Sequence, residues 1–173
     1  MEQVILVDEN DTELGVMDKM ETHEKALLHR AFSVFIFNGK GEMLLQQRAL
    51  TKYHSGGLWT NACCSHPRPN ETTIAAAERR LFEELGFTTS LKKIFDFTYK
   101  ATFDNGLTEH EFDHVFLGMY EGEIKINEYE VKEVAYKNMS EIKKLLEKKP
   151  DQFTAWFHLA FPKVYDWHIN RTL

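Results

Sequence analysis

Residues 71–87 read Glu71-Thr72-Thr73-Ile74-Ala75-Ala76-Ala77-Glu78-Arg79-Arg80-Leu81-Phe82-Glu83-Glu84-Leu85-Gly86-Phe87 and hold the strongest helix signal in the chain. Thr72 or Thr73 supplies a capping hydroxyl. Ile74, Ala77, Leu81 and Leu85 form an apolar stripe at helical spacing, and Gly86 supplies the stop. Arg79–Glu83 and Arg80–Glu84 are i,i+4 pairs, which ordinarily stabilise a solvated helix face by a few tenths of a kcal/mol.

Outward from this helix the pattern changes to period two. Upstream, Val4–Val7 and Glu13–Met17 read as short strands around an Asp-Glu-Asn-Asp turn. His23–Leu28 is too short and polar to classify. Ala31–Phe37 and Met43–Arg48 are joined by Asn38-Gly39-Lys40-Gly41, which predicts a hairpin. Trp59–Ser65 reads as extended and ends at Pro67 and Pro69. Downstream, Ile94–Phe103 and Glu109–Tyr120 flank Asp104-Asn105-Gly106, a second hairpin turn. Ile124–Ile126 and Glu133–Lys137 are short strand candidates. Ser140–Lys148 opens on a capping serine and reads as a helix, and Phe153–Ile169 is expected to be helical up to Pro162. The order predicts an α+β fold: an α/β/α sandwich with a mixed, mostly antiparallel sheet flanked by helices.

The 173 residues suit a single domain spanning 1–173, with no repeat or linker to divide it. Apolar residues at 43% and charged residues at 28% exclude a disordered chain or a fibrous rod. A net charge of −6 argues against a broad nucleic-acid or anionic-membrane surface but leaves room for a small basic pocket. No run approaches a membrane span, and the acidic opening residues do not resemble a secretory signal, so a cytoplasmic protein without membrane insertion is expected, monomeric by default. Cys63 and Cys64 should then be reduced thiols, either both buried or one of them reactive.

Three groups of residues can carry chemistry. His23, His29, His66, Glu109 and Glu111 are nitrogen and oxygen donors of the kind that hold borderline divalent metals, and Glu109 and Glu111 share one face of a strand. Singly, each histidine is more often a surface or core residue; His54, His110, His114, His158 and His168 keep that reading. The helix at 71–87 adds clustered carboxylates and arginines. In an extended 59–67 segment, Cys63 and Cys64 point to opposite faces while Cys64 and His66 share one, where a histidine or metal could tune the thiol.

Ser65, Glu71, Arg79 and Glu83-Glu84-Leu85-Gly86-Phe87 together resemble the Nudix box, a loop–helix–loop whose carboxylates hold magnesium beside a diphosphate. Two positions depart: Ser65 replaces a glycine and Arg80 a glutamate. Losing one carboxylate and adding a positive charge should weaken a multi-metal hydrolytic site, and Arg80 is suited to contact phosphate directly.

Over most of its length the chain resembles the type 1 isopentenyl-diphosphate isomerases. The markers are Leu28-His29-Arg30-Ala31-Phe32-Ser33, Gln47-Arg48, Thr60-Asn61-Ala62-Cys63-Cys64-Ser65-His66-Pro67, Tyr99-Lys100-Ala101 and Glu109-His110-Glu111. After Tyr120 the match is weak apart from Trp156, and Lys52-Tyr53-His54-Ser55-Gly56-Gly57 departs from the family's loop. The resemblance implies interconversion of isopentenyl and dimethylallyl diphosphate, with Cys64 and Glu111 as acid/base groups on opposite faces of the prenyl chain and Tyr99 hydrogen-bonding nearby. It implies Mn2+ or Zn2+ at His23, His29, His66, Glu109 and Glu111, and Mg2+ at Glu84 with the substrate diphosphate. Lys19, Arg48, Lys52 and Arg80 would ring the diphosphate beside Ser65, and Trp156 would face the cation. A Nudix hydrolase and a non-catalytic diphosphate- or metal-binding module are the rival readings.

Overall fold

The structure is a computed structural model and describes residues 1–171. Nine strands form one branched sheet. β1 (Gln3–Val7) pairs antiparallel with β2 (Glu13–Asp18), and joins β3 (His29–Phe37) at Leu6 and His29. β3 runs parallel to β8 (Thr108–Met119) over nine residue pairs, from His29–Glu111 to Phe37–Met119. β8 pairs antiparallel with β7 (Leu91–Thr102), the second expected hairpin. The first expected hairpin closes at a single pair, Phe37 and Met43. Beyond it β4 (Met43–Arg48) leaves β3 and pairs with β5 (Trp59–Thr60) and β9 (Val131–Lys137). A right-handed twist accumulates across such a sheet and favours this splaying.

Side chains alternate between two apolar layers, as the strand period requires. Phe32, Val34, Ile36 and Leu44 pack with Ala76, Ala77, Leu81 and Leu85 of α2 (Thr73–Leu85). Phe35, Phe37, Met43 and Leu45 pack with Ile142 of α3 (Met139–Lys148) and Phe157, Ala160 and Val164 of α4 (Ala155–Ile169). The α/β/α sandwich with a mixed, mostly antiparallel sheet is therefore present. Thr72 caps α2 by accepting from the Ala75 amide. Gly86 ends it in the left-handed conformation at φ 73°, against the Lys125 backbone.

Several local expectations are corrected. Trp59–Ser65 is not one strand: at Asn61 and Ala62 it leaves β4 and becomes β6 (Cys63–Ser65), paired with β3. Residues 124–126 form no strand; backbone bonds from Lys125 and Asn127 to Leu85 and Glu84 fasten this segment to the end of α2. Asn138, not Ser140, caps α3, because Asn138 Oδ1 reaches the Glu141 amide at 2.8 Å. Ile74 is 40% exposed, in the first turn of α2 before its buried residues begin at Ala76. α4 continues through Pro162, which is exposed. The missing amide falls on the water-facing side, while Phe161 and Val164 keep the other side buried. The start of the unclassified His23–Leu28 stretch is the end of a short helix, α1 (Lys19–Glu24), capped by Asp18. No described helix is long and apolar enough to cross a membrane.

Candidate active site and metal centre

At one end of the β3–β8 pair, α1, the start of β3, the segment after β6 and the start of β8 converge. His23, His29, His66 and Glu111 offer ligand atoms all within 4.8 Å of one another, and all four are buried. His66 Nε2 is 3.0 Å from Glu111 Oε1 and 3.2 Å from His29 Nε2. A carbonyl oxygen only accepts, so the ring contacts His23 Nδ1 to Lys19 O at 2.7 Å and His29 Nδ1 to Leu27 O at 2.9 Å fix those nitrogens as donors. Both Nε2 atoms are thereby turned into the cluster, the arrangement in which a backbone acceptor orients a metal-binding imidazole. His23 Nε2 is buried with no hydrogen-bond partner. A buried orphan nitrogen among convergent donors fits a divalent cation, which would satisfy it.

Glu109 stands beside this cluster, its Oε1 4.0 Å from His23 Nε2. Tyr99 links the two carboxylates: its hydroxyl is 2.9 Å from Glu109 Oε2 and 2.7 Å from Glu111 Oε2. Tyr99 on β7 lies directly opposite Glu111 in register. His54 meets Glu109 from another side, its Nε2 2.9 Å from Oε1, although off the geometry of a formed hydrogen bond.

The electrostatics are set by burial and charge together. Burial, reinforced by neighbouring His66 and His29, lowers the His23 pKa to about 4. For His29 burial also disfavours charge, but Glu111, 3.7 Å away, outweighs it and raises the pKa. Burial would raise Glu111, yet His29 and His66 hold it well below the usual carboxylate range. Tyr99 is pushed well up by burial and by the Glu109 and Glu111 charges.

A cavity of about 100 Å³ opens beside the cluster, lined by Cys64, Ser65, His66, Tyr99, Glu109, Glu111 and Trp156 and by the cations Lys19, Arg48, Lys52 and Arg80. The Cys64 thiol contacts Asn61 Oδ1 at 3.2 Å and Ser33 Oγ at 3.5 Å. The Ser33 hydroxyl donates to buried Asp113 at 2.7 Å. Burial and then the Asp113 charge push the Cys64 thiol pKa up, which keeps it protonated near neutrality. Cys63 points away, fully buried beneath α2.

The cations differ in their partners. Lys19 pairs with Glu2 at 2.8 Å and Lys52 with Glu130. Arg80 contacts Glu83 at 2.8 Å and Glu84 at 2.6 Å. Arg48 donates to the His54 carbonyl and lies 5.1 Å over the Trp156 ring. Arg48 Nε, Arg80 Nε, His54 Nε2 and Trp156 Nε1, all in residues that line this cavity, are buried without a hydrogen-bond partner.

Every residue to which the resemblance gave a catalytic, metal or substrate role lines the cavity or joins the cluster except Glu84. Its two oxygens are taken by Arg80 and by Gln46 at 2.8 Å, behind the cavity wall. Sequence reasoning missed Tyr53, His54, Glu2, Glu130 and the Ser33–Asp113 pair. For His54 a signal existed, since it sits in the loop that departs from the family pattern; a lone serine or aspartate in a strand gives none.

The NUDIX domain model matches residues 27–157. The isopentenyl-diphosphate Delta-isomerase of Pectobacterium atrosepticum is 51% identical over 165 residues, covering 95% of this chain and 92% of that protein. Isopentenyl-diphosphate Delta-isomerase 2 of Photorhabdus laumondii is 46% identical, covering 96% and 97%. Among solved structures, a Deinococcus radiodurans protein superposes with a TM-score of 0.71 at 17% identity, covering 86% of this chain and 90% of that one. The MutT protein of Methanosarcina mazei gives 0.65 at 22%, covering 82% and 94%. At those identities the structures speak for the fold alone. The match over residues 27–157 and these near-full-length relatives show that the chain belongs to the Nudix family and, within it, to the isopentenyl-diphosphate Delta-isomerases.

Proposed function

We propose that the protein interconverts isopentenyl diphosphate and dimethylallyl diphosphate, with Cys64 and Glu111 as its two acid/base groups. The observation that carries this is the Cys64 thiol and the Tyr99-bonded Glu111 carboxylate bordering one small cavity that Lys19, Arg48, Lys52 and Arg80 also line. Isomerisation adds a proton to the terminal alkene carbon, leaves a tertiary cation, and removes a proton from the carbon next to the oxygen-bearing one. Each group must reach its carbon directly. The Trp156 ring faces the same cavity and stabilises positive charge there by about 2 kcal/mol or more when water is excluded.

His23, His29, His66, Glu109 and Glu111 would hold a divalent cation, Mn2+ or Zn2+ by donor type, which when bound supplies charge that fixes and polarises the Glu111 carboxylate. Lys19, Arg48, Lys52 and Arg80 bind the diphosphate with Ser65 beside them. Glu84 is assigned to Mg2+ arriving with the substrate. Here both Glu84 oxygens are held, by Arg80 and Gln46, so Glu84 would hold Mg2+ only with those contacts given up.

The test is proton NMR of isopentenyl diphosphate with the purified protein and Mg2+ in deuterated water. Dimethylallyl diphosphate carrying deuterium is the expected product. Release of inorganic phosphate or a monophosphate would replace this reading with a Nudix hydrolase.

A further inference from the structure

Resting on the reading that the His/Glu cluster binds a divalent cation, we infer that His54 is a positioning residue of that centre, facing Glu109 at Oε1, the oxygen that also faces His23. His54 lies in the loop between β4 and β5, is 6% exposed, and cannot choose its orientation freely. Its ring stacks on Phe103 at 4.4 Å with an 8° interplanar angle, and Tyr53 and Trp156 meet it edge-on at 4.3 and 5.8 Å. Its carbonyl accepts from Arg48, and the neighbouring Tyr53 carbonyl accepts from Asn105 of the β7–β8 turn at 3.0 Å. Ser55 Oγ lies 3.2 Å from Nδ1. The far nitrogen, Nε2, is left 2.9 Å from Glu109 Oε1.

A carboxylate only accepts, so the nitrogen facing it carries the proton and Nδ1 takes the Ser55 hydroxyl proton. Glu109 then has a donor at each oxygen, Tyr99 bonded to Oε2 and His54 facing Oε1. The His54 bond is not fully formed in this arrangement. A buried donor without its bond is costly, and a turn of the Glu109 side chain relieves it. Donors behind a ligating carboxylate restrict its rotamers and strengthen metal binding, and losing one typically costs about tenfold to a hundredfold in affinity.

Two variants separate this role from packing. His54→Phe keeps the ring stacked on Phe103 and removes the donor; His54→Gln removes the ring and keeps an amide donor near the Nε2 position. Mn2+ binding to the intact protein is titrated by the electron paramagnetic resonance of free aqueous Mn2+, with melting temperatures recorded for each variant. The expected result is about tenfold or more weaker binding for His54→Phe, with His54→Gln near the wild type. Wild-type affinity in His54→Phe, or weakening confined to His54→Gln, would overturn the inference. Failure of the wild-type protein itself to bind Mn2+ would instead remove the metal reading on which it rests.

Discussion

Cys63 and Cys64 are consecutive residues on opposite sides of the sheet: Cys63 is fully buried beneath α2, and Cys64 borders the cavity, bonded to Asn61 and Ser33. Cys64→Ala is therefore expected to abolish isomerisation with little change in stability. Cys63→Ala should leave turnover nearly intact and lower stability by about 1 kcal/mol, as a small core truncation does. Turnover by NMR and urea denaturation of both variants check this pair. Loss of activity in Cys63→Ala alone would reverse the assignment.

Metal binding should release protons wherever His29 is charged. Against its burial, Glu111 raises the His29 pKa above the ordinary 6.5, and a ligating imidazole must be neutral. Release should diminish as pH rises through the His29 value. His23 has the opposite sign. Its pKa is about 4 against an ordinary 6.5, so its contribution to folding is present above 6.5 and is lost as pH falls toward 4. Calorimetric titration of Mn2+ in buffers of different ionisation enthalpy measures the first, and histidine NMR the second. Exhaustive chelation, verified by elemental analysis, should abolish turnover, and added Mn2+, Mg2+ or Zn2+ should restore it.

Gly86→Ala should destabilise the fold more than an ordinary helix-end substitution. The left-handed φ of 73° costs a residue with a side chain about 1–2 kcal/mol. The added methyl would also lie 2.8 Å from the Lys125 carbonyl oxygen, a backbone atom that cannot swing aside. Chemical denaturation gives the loss; an unchanged midpoint would mean that residue 125 moves freely.

Strong periodicity made the strands and α2 legible in the sequence, because burying one face of each fixes the pattern. The turn at Asn38–Gly41 was legible as a turn, but the parting of β3 from β4 depends on β8, β6 and β9, which lie far along the chain. Pro162 misled because its effect depends on which side of α4 it occupies. Lys19, Arg48, Lys52 and Arg80 were found through a family pattern, whereas the three histidines, Glu109 and Glu111 were grouped by donor type. His54 was passed over because an isolated histidine carries no periodic signal, and the departure of its loop from the family pattern was read without it. Glu84 shows the remaining gap: the residue type fits a metal, while the distances to Arg80 and Gln46 report its present partners.

The parallel pairing of β3 with β8 also bears on how the protein is made. Ser33 and Asp113 are bonded across a sequence separation of 80 residues, and the Glu109–Glu111 end of β8 closes the cluster begun by His29. While a ribosome is still translating the α2 region, β3 has an edge with no permanent partner and the catalytic groups have no common location. Emergence of β8 covers that edge and brings Glu109 and Glu111 to the histidines in the same event, so a chain interrupted before residue 108 would be both inactive and prone to aggregation.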